Sequence, residues 1–222
     1  MAPSEEAIGI SGPDPTAPAP ARRPGGRSAR VRERVLAAVR AQLVECGYDE
    51  LTVDAVAARA GVHRTTVYRR WRDVGGLLAD VLDAAGDDEW RPRDTGDLAG
   101  DLTALNQEVH AALTERPSVT TALIAASFRS AQAADALRRF WEDRYARCET
   151  VVRRAVRRGE VPAGTDARAL LVAATAPLYH RLVLLRIPPD PRLPGRAARA
   201  AAVAAAAGAF TEPPAETGTG SP

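Results

Sequence analysis

The chain contains no lysine, so all 30 of its basic side chains are arginines. It has two cysteines, Cys46 and Cys148, a single methionine, and aromatic residues make up only 5% of its 222 positions. Each scarcity excludes something. Two thiols so far apart build neither a disulfide framework nor a paired-cysteine metal site, and the expectation is a cytoplasmic chain with reduced, mostly buried thiols. The three histidines, His63, His110 and His180, have no ligand spacing, so neither a metal nor a cofactor is implied. β-branched residues alternate with polar ones nowhere for long, which argues against sheets. The apolar run Ala201 to Phe210 is too short to span a bilayer, and residues 1–27 lack the apolar segment of a secretory signal. A soluble protein without a membrane partner is expected. No Ser-His-Asp order, HExxH motif or glycine-rich phosphate loop is present, so an enzyme is not expected.

What is there is helical and charge-polarised. Between Arg22 and Arg72 twelve arginines face five acids, although the whole chain carries a net charge of only +2. A basic N-terminal third on a near-neutral body points to a polyanionic partner. Residues 1–27, with Pro3, Pro13, Pro15, Pro18, Pro20 and Pro24, read as a disordered tail. Its basic end, Arg22, Arg23 and Arg27, fits a minor-groove arm or a merely basic linker equally well. Residues 211–222 read as a second disordered tail.

Periodicity predicts nine helices and an all-α fold. The first starts at Ser28 as N-cap, carries Val31, Val35, Val39 and Leu43, and stops at Gly47. The second follows Thr52 and ends at Gly61, and the third spans His63 to Trp71. A glycine break at Gly75-Gly76 introduces the fourth, which fades at Gly86. Five more are expected: Asp97 to Leu113, Ser118 to Ser130, Ala133 to Arg158, Asp166 to Arg186 with Pro177 inside it, and Gly195 to Phe210. Pro177 removes a backbone hydrogen bond, which either opens room for a ligand or lets the helix wrap the core.

The most informative stretch is LTVDAVAARAGVHRTTVYRRW, Leu51 to Trp71: helix, glycine-containing turn, short second helix. At about 100° per residue, Val67 and Trp71 face inward while Thr65 and Arg69 face outward, flanked by Thr66 and Tyr68. That outward face is short, polar and cationic, with an arginine able to fork onto a guanine edge.

These residues resemble the N-terminal signature of the TetR family of transcriptional regulators, over roughly residues 28–86. APLYHRLVL, Ala176 to Leu184, is similar more loosely to a segment of that family's ligand-binding domains. The resemblance implies a helix-turn-helix domain over 28–74 and an effector-binding and dimerisation domain over 75–210. It implies a homodimer acting on double-stranded operator DNA, most often as a repressor, and a small, largely apolar effector. Carried over by position, the DNA contacts fall on Thr52, His63, Arg64, Thr65, Tyr68, Arg69 and Arg70. His63 stands where the family often has serine, and Val74 where it usually has a backbone-reaching lysine. Effector candidates are His110, Phe128, Trp141, Tyr145, Cys148, Tyr179 and His180. The alanines of the last helix, Ala197, Ala198, Ala200 to Ala202 and Ala204 to Ala207, would let helices approach closely in a dimer interface, with Ala201 and Ala205 as its test positions. The rival is an architectural DNA-binding protein without an effector, which a body of more than a hundred further residues argues against.

Overall fold

The computed structural model describes residues 26–86 and 89–211; the two expected disordered tails, with Arg22 and Arg23 of the expected arm, lie outside them except for Gly26, Arg27 and Thr211. Among the described residues nine α-helices follow one another. They are α1 (Gly26–Cys46), α2 (Val53–Ala60), α3 (Arg64–Trp71), α4 (Val74–Gly86), α5 (Leu98–Thr114), α6 (Val119–Ser127), α7 (Ala131–Arg157), α8 (Ala167–Tyr179) and α9 (Leu193–Ala206). A π turn, His180–Leu184, continues α8. The one extended pairing among these residues is an isolated bridge between Thr165 and Thr211. None of these helices is long and apolar enough to cross a membrane.

Local chemistry sets the boundaries. Thr52, Asp97, Ser118, Ser130 and Asp166 each precede a helix and accept a hydrogen bond from an amide of its first turn. Gly47 ends α1 at a φ of 79°, a left-handed conformation that suits glycine.

Four expectations need correction. α1 begins at Gly26, because the Ser28 hydroxyl is not a cap but accepts a hydrogen bond from Arg70 Nη1 at 3.2 Å. Gly75 and Gly76 are no break. They lie in the first turn of α4, where a Cβ on Gly76 would sit 2.1 Å from the Trp71 carbonyl oxygen, so the glycine permits close approach of α3 and α4. The segment Asp166 to Arg186 is not one helix, since its hydrogen bonding widens after Pro177 and Leu185 N–H donates to the His180 carbonyl at 2.9 Å. The last helix runs from Leu193 to Ala206, because Pro194 is tolerated in its first turn.

Two cores result. One joins the stripe of α1 (Val35, Leu36, Val39, Leu43) to α2, α3 and α4, and continues through Leu123 and Ala126 of α6 to Ala133 and Ala136 of α7. The other lies among α5, α7, α8 and α9, with Leu102, Val151, Leu170, Leu171, Ala198 and Ala201 at its centre. α4 packs on α1 and α3 and also along α7, and with the contact of α1 on α6 it joins the N-terminal helices to the body. Ala201 and Ala205 are 5% and 0% exposed inside their own chain. Their small side chains bring α9 against α5 and α8, so they are not available as interface positions.

Candidate nucleic-acid interface and ligand cavity

The turn between α2 and α3 is built on Gly61, whose φ of 59° lets Val62 N–H reach back to the Ala57 carbonyl at 3.0 Å. Arg34 of α1 seals this helix end: its guanidinium donates to the Ala60 carbonyl, from Nε at 3.0 Å, and to the Gly61 carbonyl at 2.7 Å. A cation on the last carbonyls of a helix matches its dipole.

α3 buries Val67 and Trp71, as its periodicity requires. Trp71 Nε1–H donates to Asp80 Oδ2 at 2.7 Å, and Arg32 of α1 grips the same carboxylate with Nη2 at 2.6 Å and Nε at 3.0 Å. Asp80, on α4, thus fastens α1 and α3 together. Partial burial works against its charge. The hydrogen bonds from Arg32 and Trp71, with the nearby Arg32 and Arg70 charges, outweigh it and hold the carboxyl below its usual range.

His63, Arg64, Thr65, Tyr68, Arg69 and Arg70 are exposed and Thr66 is half-buried. Thr52 is exposed too, with its hydroxyl engaged as the α2 cap. His63 caps nothing; its Nδ1 pairs with Thr65 Oγ1 at 2.9 Å. Arg70 turns back toward α1, bonded to Ser28 and lying over the Trp71 ring at 5.0 Å. Between the start of α1 and α3 runs an open cleft lined by Arg27, Arg30, Arg34, Arg69 and Arg70, with no acid. Arg27 was expected only as part of an arm, and Arg30 and Arg34 of α1 were missed as site residues, although their spacing of three and four from Arg27, away from the buried stripe, was a readable signal. Val74 is half-buried and packs on the core.

A second concavity lies among α5, α6, α7 and α8, with a volume of about 250 Å³. Four of the effector candidates, Trp141, Tyr145, Cys148 and Tyr179, line it together with Trp90, Glu108, Phe140 and Arg144, which sequence reasoning did not single out. Trp141 meets Tyr179 edge-on at 5.5 Å and Phe140 at 5.2 Å. Trp90 Nε1–H donates to Glu108 Oε2 at 2.7 Å, and the Arg144 guanidinium lies 4.7 Å from the Trp90 ring centre. Residues 141, 144, 145 and 148 share one helical face, which was the signal for Arg144. Burial pushes the Cys148 thiol up to about 12; Arg144 opposes this and Glu108 adds to it. The thiol is neutral wall, not a nucleophile. Burial likewise raises Tyr179.

Three effector candidates fall outside this cavity. Phe128, 78% exposed, follows the last residue of α6 and borders a separate open groove near Leu182 and Ile187. His180 opens the π turn and is exposed, and His110 is half-buried on another face of α5. Pro177 is also exposed, while Thr175 and Tyr179 of the same helix face the cavity. Among the described residues no acidic, histidine or cysteine cluster could hold a metal.

A helix-turn-helix set on a larger helical body defines a DNA-binding regulator. Residues 35–81 match the family described as bacterial regulatory proteins, tetR family, and residues 92–210 match the tetracyclin repressor-like C-terminal domain. The HTH-type transcriptional regulator AqdR of Rhodococcus erythropolis is 37% identical over 157 residues, 69% of this chain and 74% of that protein. The DNA-binding transcriptional repressor TetR of Mycobacteroides abscessus is 36% identical over 159 residues, 69% and 83% respectively. The solved TetR family transcription regulator SCO0332 superposes with a TM-score of 0.61 at 30% identity, covering 78% of this chain and 97% of its own. The chain belongs to the TetR family of transcriptional regulators, whose members are DNA-binding regulators rather than enzymes.

Proposed function

We propose that the protein is a cytoplasmic, homodimeric repressor that holds a palindromic operator and releases it when a small, largely apolar molecule fills the cavity. The observation that carries this reading is the aromatic-walled cavity of about 250 Å³, bounded by the helix α7 on which α4 packs. Residues 28–74 act as the reading unit and 75–210 as the sensing and dimerising body. Thr65, Thr66, Tyr68 and Arg69 meet base edges or adjacent phosphates, with His63, Arg64, Thr52 and Arg70 bordering them. Trp141, Tyr145, Cys148 and Tyr179 contact the effector. Dimerisation uses the outward faces of α8 and α9, where Val172 and Val203 stay exposed.

A ligand releases DNA only if it prefers a spacing of the two reading helices that no longer fits successive grooves. The test starts with selecting duplexes from a random pool and footprinting the one enriched. Small aromatic compounds are then titrated with and without that duplex. A bound compound is expected to lower operator affinity by about 5- to 150-fold, and linkage demands that the operator weaken the compound by the same factor. Identical dissociation constants in both titrations would sink the effector reading.

A further inference from the structure

Charge fastens α4 at its last turn and at its middle. Its last carbonyls, the negative pole of the helix, accept hydrogen bonds from two arginines of α7: Arg144 Nη2 donates to the Ala85 oxygen at 2.9 Å and Arg147 Nη2 to the Gly86 oxygen at 2.5 Å. Further toward its start, Asp80 holds Arg32 of α1 and Trp71 of α3. Asp80 and Ala85 are five residues apart, about 7.5 Å of helical rise. No proline interrupts α4, and Gly76 seats the Trp71 carbonyl against it. A displacement of its last turn has a contact path to the reading helix through Asp80 and the Trp71 carbonyl.

Of the two arginines, only Arg144 lines the cavity. Its guanidinium lies over the rings of Trp90, at 4.7 Å, and Phe140, at 5.1 Å, both of them cavity walls. The same planar group therefore serves the aromatic wall and the end of α4.

Resting on the regulator reading above, we propose that Arg144 is the positioning residue through which the occupancy of the cavity controls DNA reading. An occupant with a flat apolar body displaces the guanidinium from the two ring faces, and its acceptor oxygen (carbonyl, carboxylate or phenolate) replaces the Ala85 carbonyl as hydrogen-bond partner. The last turn of α4 is then freed on that side, while Arg147 keeps Gly86 and acts as a pivot. α4 tilts, and Asp80 carries Trp71 and Arg32 with it. Arg144 itself touches no DNA.

The experiment needs no identified ligand, because removing the guanidinium imitates its diversion. Arg144→Gln, Asp80→Asn and the double variant are titrated with the duplex that the unmodified full chain enriches from a random pool, and with an unrelated duplex. Amide hydrogen exchange is followed over residues 81–86. Arg144→Gln is expected to lose about 5- to 150-fold on the enriched duplex, with faster exchange at the end of α4. Its affinity for the unrelated duplex should stay within about twofold, and the double variant should be no weaker than the weaker single. Losses that multiply in the double variant overturn the proposal, because the two anchors of α4 would then act independently. So does wild-type affinity of a folded Arg144→Gln. Should that variant not fold, Arg144→Lys replaces it, with an intermediate loss expected and wild-type affinity fatal. If no duplex is enriched at all, the regulator reading itself fails, an outcome distinct from an enriched duplex that Arg144 does not influence.

Discussion

The five arginines of the cleft are chemically identical and structurally unequal. Arg34 is engaged by the Ala60 and Gly61 carbonyls, and Arg70 by Ser28 and the Trp71 ring. Arg69 projects from the outward face of α3, while Arg27 and Arg30 stand on the first turns of α1. A side chain on the reading helix can meet a base edge, whereas those on α1, off that helix, are expected to meet backbone phosphate alone. Arg69→Ala is accordingly expected to reduce discrimination between operator and random DNA by about 1–3 kcal/mol. Arg30→Ala should weaken both duplexes alike and flatten the salt dependence. Parallel titrations decide this, and equal losses on both duplexes for Arg69→Ala would reassign it to phosphate.

At the scale of elements, α4 and Asp80 dominate. The carboxyl of Asp80 is held below its unfolded value near 4, so its contribution to stability is complete above that pH and lost as pH falls through the lower folded value. Asp80→Asn should therefore flatten the acid limb of the stability profile and lower stability at neutral pH. Hydrogen bonds to a charged group contribute about 1.5–3 kcal/mol, and the lower end applies because Arg32 stays 30% exposed and water screens the pair. Denaturant titrations from pH 3 to 7, roughly spanning the carboxylate range, check it; parallel profiles for variant and wild type would remove Asp80 from this role. Asp80 also marks where the sequence was legible and where it was not. The order of the helices, the caps at Thr52 and Gly61 and the two-faced α3 follow from periodicity and local residue chemistry, whereas Ser28 read as a cap because its bond to Arg70 is not local. Gly75-Gly76 read as a break because a glycine pair looks the same whether it interrupts a helix or admits a neighbour's carbonyl. The π turn after Pro177, and the meeting of Arg144 with Trp90 and Ala85, depend on packing between segments far apart in sequence, which periodicity does not carry.

For the whole molecule the deciding question is which surface meets a second copy. Ala201 and Ala205 face inward, so a charge there should unfold the chain rather than separate protomers. Val203, 71% exposed on the opposite side of α9, is the better test. Val203→Arg is expected to give folded monomers that bind a half-site weakly, measured by sedimentation. A dimer that survives this change would move the interface away from α9.

The buried Cys148 has a consequence beyond the cavity it lines. With its thiol raised to about 12, it is shielded from thiol reagents at neutral pH, whereas Cys46, at the end of α1, is exposed. The chain has no other cysteine. A spin label or fluorophore added to the natural sequence therefore attaches once per protomer, on the reading unit, and in a two-fold assembly the pair of labels forms a built-in ruler for the separation of the two heads.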